Sequence, residues 1–316
     1  MSRAITHPRI AIVGSGAVGC FYGAKLLHSG LDVHFLMRSD LDHVGKDGLR
    51  IESTATGDLK LPKISVYADT ADIGPCDLVV IALKATDNEA LKYLIPPLLQ
   101  EHTALLTLQN GLGNEQFLAG LFGPTRVMGG LCFVCLNRVS PGVIRHIAEG
   151  RVTMGEFSGH PVPRTHDIGL WFKRAGISCR VVDCLMTERW RKLVWNIPFN
   201  GLAIASGKTD TGAILADSYQ RERACSLMRE VIEIARCCGY QLPFSMVDEQ
   251  LGVTRGMGAY KPSSLLDYEK GNKVEVESIW GRPLRMGIDA GAGVRHLQEL
   301  YNEISSVVEN RECESG

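Results

Sequence analysis

At 316 residues, 45% of them apolar and with a mean hydropathy of +0.02, the chain has material for two domains that each bury a sizeable core. Its 34 Lys and Arg against 35 Asp and Glu leave a formal net charge of -1, which excludes a global basic field for nucleic acid or anionic lipid. No basic stretch followed by an apolar core opens the sequence, and no apolar run approaches the ~20 residues that span a bilayer, so a cytoplasmic protein with no nucleic-acid or membrane partner is expected.

The first predicted element is a short apolar strand, Arg9-Ile-Ala-Ile-Val13, which runs straight into Gly14-x-Gly16-x-x-Gly19 and then a helix-compatible segment. This is a dinucleotide-binding fingerprint in its proper setting. Gly14 permits the tight strand-to-helix turn, Gly16 lets the backbone approach a pyrophosphate, and Gly19 lets the helix pack on the strand. The loop of Gly14, Ser15, Gly16, Ala17, Val18 and Gly19 is therefore expected to hold the cofactor phosphates on free helix N–H groups.

The next predicted strand, Leu31 to Met37, follows Gly30 and ends at Arg38-Ser39 rather than at an acid. A carboxylate there would hydrogen-bond the ribose hydroxyls and repel a 2′-phosphate, whereas a guanidinium holds that phosphate in a bidentate fork. The cofactor expected is NADP(H). The alternative is that Arg38 is an ordinary solvated surface residue.

Asp77 to Leu83 reads as a buried parallel strand and Leu105 to Leu108 as another, with a helical segment around 87–100 between them. Alternating strands and helices predict an α/β fold with an N-terminal Rossmann-type doubly wound sheet. Strand-like stretches around 126–136 and 143–157 extend this domain to about Asp183. From Thr187 the texture is helical, over 187–205, 217–238, a segment from Ser263, and 293–309, while Asn310 to Gly316 reads as a frayed polar tail. The expected division is an NADP-binding domain over 1–183 and an all-α substrate and catalytic domain over 184–316. The ten cysteines are scattered; Cys132-x-x-Cys135 and Cys237-Cys238 lack the second pair a zinc site needs, so no metal is expected.

Within 187–205, Lys192, Asn196 and Asn200 recur at i, i+4 and i+8 on an otherwise apolar helix and share one face. A lysine and two amides are costly to bury without partners, so the stripe is expected to line a cleft. Pro198 predicts a kink. The competing reading is a lysine snorkelling from a core helix, with the amides capping neighbouring backbone.

From end to end the chain resembles the ketopantoate reductases (2-dehydropantoate 2-reductases). The resemblance rests on Gly14-x-Gly16-x-x-Gly19, Arg38, Leu83-Lys84-Ala85, Gln109-Asn110-Gly111-Leu112-Gly113, the helix carrying Lys192, and Lys261-Pro-Ser263-Ser-Leu-Leu-Asp267 followed by Glu275. It implies NADPH-dependent reduction of a small 2-oxo acid, ketopantoate to pantoate in coenzyme A biosynthesis. By the same resemblance Lys192 is the general acid, Glu275 binds the substrate hydroxyl and Ser263 holds the substrate carboxylate; Asn196 and Asn200, on the same helix face, are expected to orient Lys192 and hydrogen-bond the substrate. Asn110, at a strand end where ligands of open α/β folds gather, would lie near both the nicotinamide and the reacting carbonyl, unless it serves only an Asn-Gly turn. Lys84 resembles the family lysine that approaches the cofactor or substrate, with a solvated loop lysine as the alternative. A homodimer is compatible with this reading.

The substrate side departs from the family pattern. Gly271-Asn272-Lys-Val274-Glu275 stands where Gly-Arg-x-Thr-Glu is usual, and Tyr260 where an asparagine often precedes the serine. Two further readings therefore stand beside ketopantoate reduction: a paralogous reductase of another branched or bulky 2-oxo acid, and a non-catalytic NADP-binding sensor.

Overall fold

The computed structural model describes residues 7–207 and 209–315. The chain forms two compact units, one of Met1–Gln109 with Asn114–Leu185, the other of Met186–Gly316 together with the short segment Asn110–Gly113.

The first unit is built on one sheet of ten described strands: β1 (Arg9–Val13), β2 (Asp32–Leu36), β3 (Leu49–Ser53), β4 (Leu59–Leu61), β5 (Ser65–Tyr67), β6 (Leu78–Ile81), β7 (Ala104–Thr107), β8 (Val127–Ser140), β9 (Val143–Glu156) and β10 (Cys179–Val181). Their order is β4-β3-β9-β8-β7-β6-β1-β2-β5, with β10 beside β9. From β8 to β5 every pairing is parallel, whereas β8 and β9 form a long antiparallel hairpin. Side-chain alternation divides the sheet between two cores. Ile10, Ile12, Leu78 and Val80 pack with Phe21 and Tyr22 of the helix Ala17–His28 on one face. Ala11, Val13, Val79 and Ile81 pack with Leu91, Ile95 and Leu118 on the other. Both faces are covered, so the parallel strands read as continuous apolar runs, as a doubly wound sheet requires.

The segment expected to be helical over 87–100 is instead broken into a 3-10 turn (Ala85–Ala90), one α turn (Leu91–Leu94) and a second 3-10 turn (Pro96–Leu98). Pro96 and Pro97 supply no N–H to carry a regular helix onward. Strands β3 to β5 and the helix Pro163–Arg174 carry too weak a periodicity to be read in advance.

The second unit is helical, with helices Leu185–Ala205 (from Met186 within this unit), Thr211–Ala216, Ser218–Cys237, Met246–Met257, Ser263–Glu269, Arg282–Asp289 and Arg295–Ser315. The last continues where a frayed tail was expected from Asn310. Helix Leu185–Ala205 passes through Pro198 and buries Trp190, Leu193, Val194, Ile197 and Phe199 in one core with Trp280, Leu300 and Ile304. Gly201 sets the closeness of that packing: a Cβ there would lie 2.6 Å from Leu300 Cδ2 and 2.9 Å from Trp280 Nε1. The Trp280 indole donates to the Ile197 carbonyl at 2.9 Å, so the buried N–H is satisfied. None of the described helices is long and apolar enough to cross a membrane.

Candidate active site

In the first unit the glycine loop has the shape its sequence predicts. Gly14 adopts φ +105, and a Cβ there would lie 2.3 Å from the Leu83 backbone nitrogen; a Cβ on Gly19 would lie 2.1 Å from the Gly14 carbonyl oxygen. Gly16 differs, since a Cβ there would meet nothing within 4 Å. The protein thus packs tightly on both sides of a backbone stretch that stays open at Gly16, which is the cradle a pyrophosphate needs. The helix that follows starts at Ala17 and Val18 with no side-chain cap and no acid in its first turn, so no carboxylate of its own first turn competes for its N-terminal N–H groups. Ser15 points its hydroxyl elsewhere, donating to the Leu36 carbonyl at 2.7 Å and fastening the loop to the end of β2.

Arg38 lies two residues past the end of β2 and is exposed. The acid two residues on, Asp40, is buried: its carboxylate accepts from the Arg138 guanidinium and from the Gly142 N–H at 3.2 Å. The strand end therefore presents a cation, with the neighbouring carboxylate already neutralised.

Lys84 lies just past β6, beside Leu83 against which Gly14 packs, and opens the 3-10 turn Ala85–Ala90. Next to it is a directed chain of amides that the motif reading missed. Thr107 Oγ donates to Gln109 Oε1 (2.8 Å), Gln109 Nε2 to Asn88 Oδ1 (2.7 Å), and Asn88 Nδ2 to Asn114 Oδ1 (2.9 Å). Each donor fixes the orientation of the next amide, so the chain holds the ends of β6 and β7 together. The only signal in the sequence was the run of amides around Gln109-Asn110, and the partners come from 21 and 26 residues away.

The second unit gathers the remaining residues. Lys192 Nζ donates to Asn110 Oδ1 at 2.9 Å. Asn196 and Asn200, both buried, continue the stripe along the same helix; Asn200 Nδ2 donates to the Asn196 carbonyl at 3.1 Å. Asn200 Oδ1 accepts from the Ser264 N–H at 3.0 Å and from Ser263 Oγ at 3.5 Å, so this amide holds the start of the helix Ser263–Glu269 and places the exposed Ser263 hydroxyl. Beside the stripe, the Trp195 ring lies 6.3 Å from that of Tyr260. Glu275 is buried, and its carbonyl accepts from Ser278 Oγ at 3.3 Å. Glu277 behaves differently: it is exposed and accepts from Tyr301 and Arg285, a surface pairing remote in kind from the stripe. Among the described residues no group of three or more His, Cys, Asp or Glu could hold a metal ion.

The sequence pattern described as "Ketopantoate reductase PanE/ApbA" matches residues 10–159, and that of "Ketopantoate reductase PanE/ApbA C terminal" matches residues 184–308. The chain belongs to the ketopantoate reductase family. A 2-dehydropantoate 2-reductase from a Nostoc species is 40% identical over 302 residues, covering 94% of each chain. The crystal structure of a 2-dehydropantoate 2-reductase from Geobacter metallireducens superposes with a TM-score of 0.92 at 42% identity, over 94% of this chain and 99% of that one. D-mandelate dehydrogenase, solved with NADH and anilino(oxo)acetate, shares the fold at 19% identity, with a TM-score of 0.87 over 96% of this chain and 98% of that one. As a ketopantoate reductase family member the protein is an oxidoreductase.

Proposed function

We propose that the protein reduces ketopantoate to pantoate with NADPH. The observation that carries this reading is the Lys192 ammonium held 2.9 Å from Asn110 Oδ1 on a helix face otherwise built from amides and apolar side chains. NADPH, when bound, supplies the hydride. The cradle of Gly14, Ser15, Gly16, Ala17, Val18 and Gly19 would hold its pyrophosphate, Arg38 its 2′-phosphate, and Lys84 and Asn110 its nicotinamide end.

As the carbonyl carbon of the substrate gains a hydride, negative charge grows on its oxygen. Lys192 stabilises that charge and transfers its proton to the oxygen, completing the hydroxyl; the neutral amine is reprotonated from water. Asn110 fixes the direction of the lysine, a contribution made before the reaction begins. Asn196 and Asn200 keep the stripe polar and orient Lys192, Ser263 hydrogen-bonds the substrate carboxylate, and Glu275 accepts from the substrate hydroxyl. A carboxylate committed to that hydroxyl disfavours analogues that lack it, because its desolvation would go uncompensated.

One observation favours a second reading, a paralogous reductase of another branched or bulky 2-oxo acid. The Trp195 and Tyr260 rings lie 6.3 Å apart, Trp195 being next to Asn196 in the chain, and would offer apolar surface to a larger acyl group. A panel of 2-oxo acids followed by NADPH absorbance separates the two. Ketopantoate should have the highest kcat/KM, and Glu275→Ala should weaken ketopantoate much more than 2-oxoisovalerate. A wild type that prefers 2-oxoisovalerate or an aromatic 2-oxo acid would transfer the assignment to the second reading.

A further inference from the structure

The segment Asn110–Gly113 packs with the helical unit although the chain on either side of it belongs to the sheet unit. One backbone carbonyl of the helical unit helps to fasten it there. The Leu112 N–H donates to the Ser278 carbonyl oxygen at 2.8 Å, and the Leu112 side chain is buried in the helical core. Gly111, at φ +80, lies so close that a Cβ on it would stand 2.2 Å from the same oxygen. Asn110, the partner of Lys192, is the first residue of this fastened segment.

The Ser278 oxygen is available for an identifiable reason. Residues Glu277–Gly281 form a π turn, in which the Arg282 N–H reaches back five residues to the Glu277 carbonyl. The next donor in that register, the one due to Ser278, is position 283. It is Pro283, which has no N–H. Arg282 is already engaged, so Ser278 has no donor from its own helix, and Leu112 satisfies it instead.

We propose that Pro283 is a positioning residue for the Lys192–Asn110 pair: by withholding a donor from the Ser278 carbonyl, it reserves that oxygen for Leu112 and so fixes the turn that presents Asn110. This inference rests on the proposed reductase reading for its link to catalysis, but the anchoring itself does not depend on the substrate. Pro283→Ala restores an N–H in register and removes the ring that discourages a regular α turn. The helix then competes with Leu112 for the same oxygen, and the Asn110 turn loosens.

The test measures three quantities on the full-length Pro283→Ala protein. Because alanine is the better helix former, the thermal midpoint is expected to hold or rise. Amide hydrogen exchange at Leu112 should accelerate by about tenfold or more as its bond is shared or lost. The kcat for the best wild-type 2-oxo acid should fall by about tenfold, with KM and the NADPH Kd changed less than about threefold, since misplacement of a catalytic group acts mainly on the transition state. Gly111→Ala, which pushes directly on the Ser278 oxygen, should reproduce the kcat loss. Unchanged Leu112 exchange would overturn the proposal whatever the kinetics, as would accelerated exchange with undiminished kcat. A fall in kcat that merely tracks a lower thermal midpoint would also overturn it, in favour of a purely structural proline. If the wild type reduced no 2-oxo acid, the reductase reading would fail while the exchange experiment still decided the anchoring.

Discussion

Lys192 Nζ and Asn110 Oδ1 meet at 2.9 Å although 82 positions separate them in the chain. The lysine comes from a long, well-buried helix, and the asparagine from a four-residue turn that packs with the helical unit. A rigid element thus supplies the proposed proton donor, and a fastened turn holds its partner.

Replacing Lys192 by alanine is expected to lower kcat by roughly 10²–10⁴-fold, the range of a positioned general acid. NADPH binding, titrated by fluorescence, should stay within about threefold of wild type, because the amine acts on charge that develops in the transition state. Parallel loss of NADPH affinity and turnover would reduce Lys192 to a structural role.

Arg38→Ala should erode a preference for NADPH over NADH. Loss of a charge-assisted fork to the 2′-phosphate costs about 1.5–3 kcal/mol, which is roughly ten- to a hundredfold in the ratio of kcat/KM values. The check is to compare the two cofactors at a fixed 2-oxo acid concentration in wild type and variant. Equal use of NADH by the wild type would remove the NADP assignment.

Gly19→Ala places a methyl 2.1 Å from the Gly14 carbonyl oxygen, a contact with backbone that no side-chain rotation relieves. The loop must shift, so NADPH affinity is expected to fall by at least about tenfold while most of the protein stays folded, given that a typical local rearrangement costs about 1–3 kcal/mol. Circular dichroism alongside the fluorescence titration distinguishes this from global unfolding, and an unaltered Kd would show that the cradle is more pliant than its packing implies.

His146 predicts a pH dependence of stability in the first unit. Its ring is fully buried, with Nε2 2.9 Å from the Glu149 carbonyl and Nδ1 2.8 Å from Ser53 Oγ; the carbonyl requires a proton on Nε2, so Nδ1 accepts from Ser53. Burial pulls its pKa below the ordinary 6.5, against the opposing pull of the Glu149 and Ala148 carbonyls. The unfolded chain therefore takes up this proton at a higher pH than the folded one does. The stability is complete above about pH 6.5 and is lost as pH falls through the lower folded value. Urea midpoints measured from pH 7.5 to 5 should show this loss in the wild type and a shallower one in His146→Gln; identical slopes would exclude His146 as its source.

Much of this protein was legible because its signals are local. The turn at Gly14, the helix start after Gly16 and the i, i+4, i+8 spacing of Lys192, Asn196 and Asn200 each depend on residues within a few positions of one another, where covalent geometry alone restricts the outcome. Apolar runs likewise marked β1, β6 and β7, since strands covered on both faces have no polar side to show. Short edge strands such as β4 and β5, partly exposed and only three residues long, carry no such mark.

Tertiary structure decided the rest. That Asp40 is spent on Arg138, 98 positions away, determines what charge the end of β2 presents, and no periodicity near Asp40 announces it. Asn200 reads from sequence as one of three equivalent polar residues on a helix face, yet the fold commits its oxygen to the backbone of Ser264, 64 positions on, so that it positions Ser263. The same holds for the Ser278 carbonyl, whose partner at Leu112 could not be inferred from either segment alone. A hydrogen-bonding group declares in sequence only that it needs a partner; which partner it finds depends on how distant segments are packed, and burial makes that choice binding because an unmet donor or acceptor in the core costs about 1–3 kcal/mol.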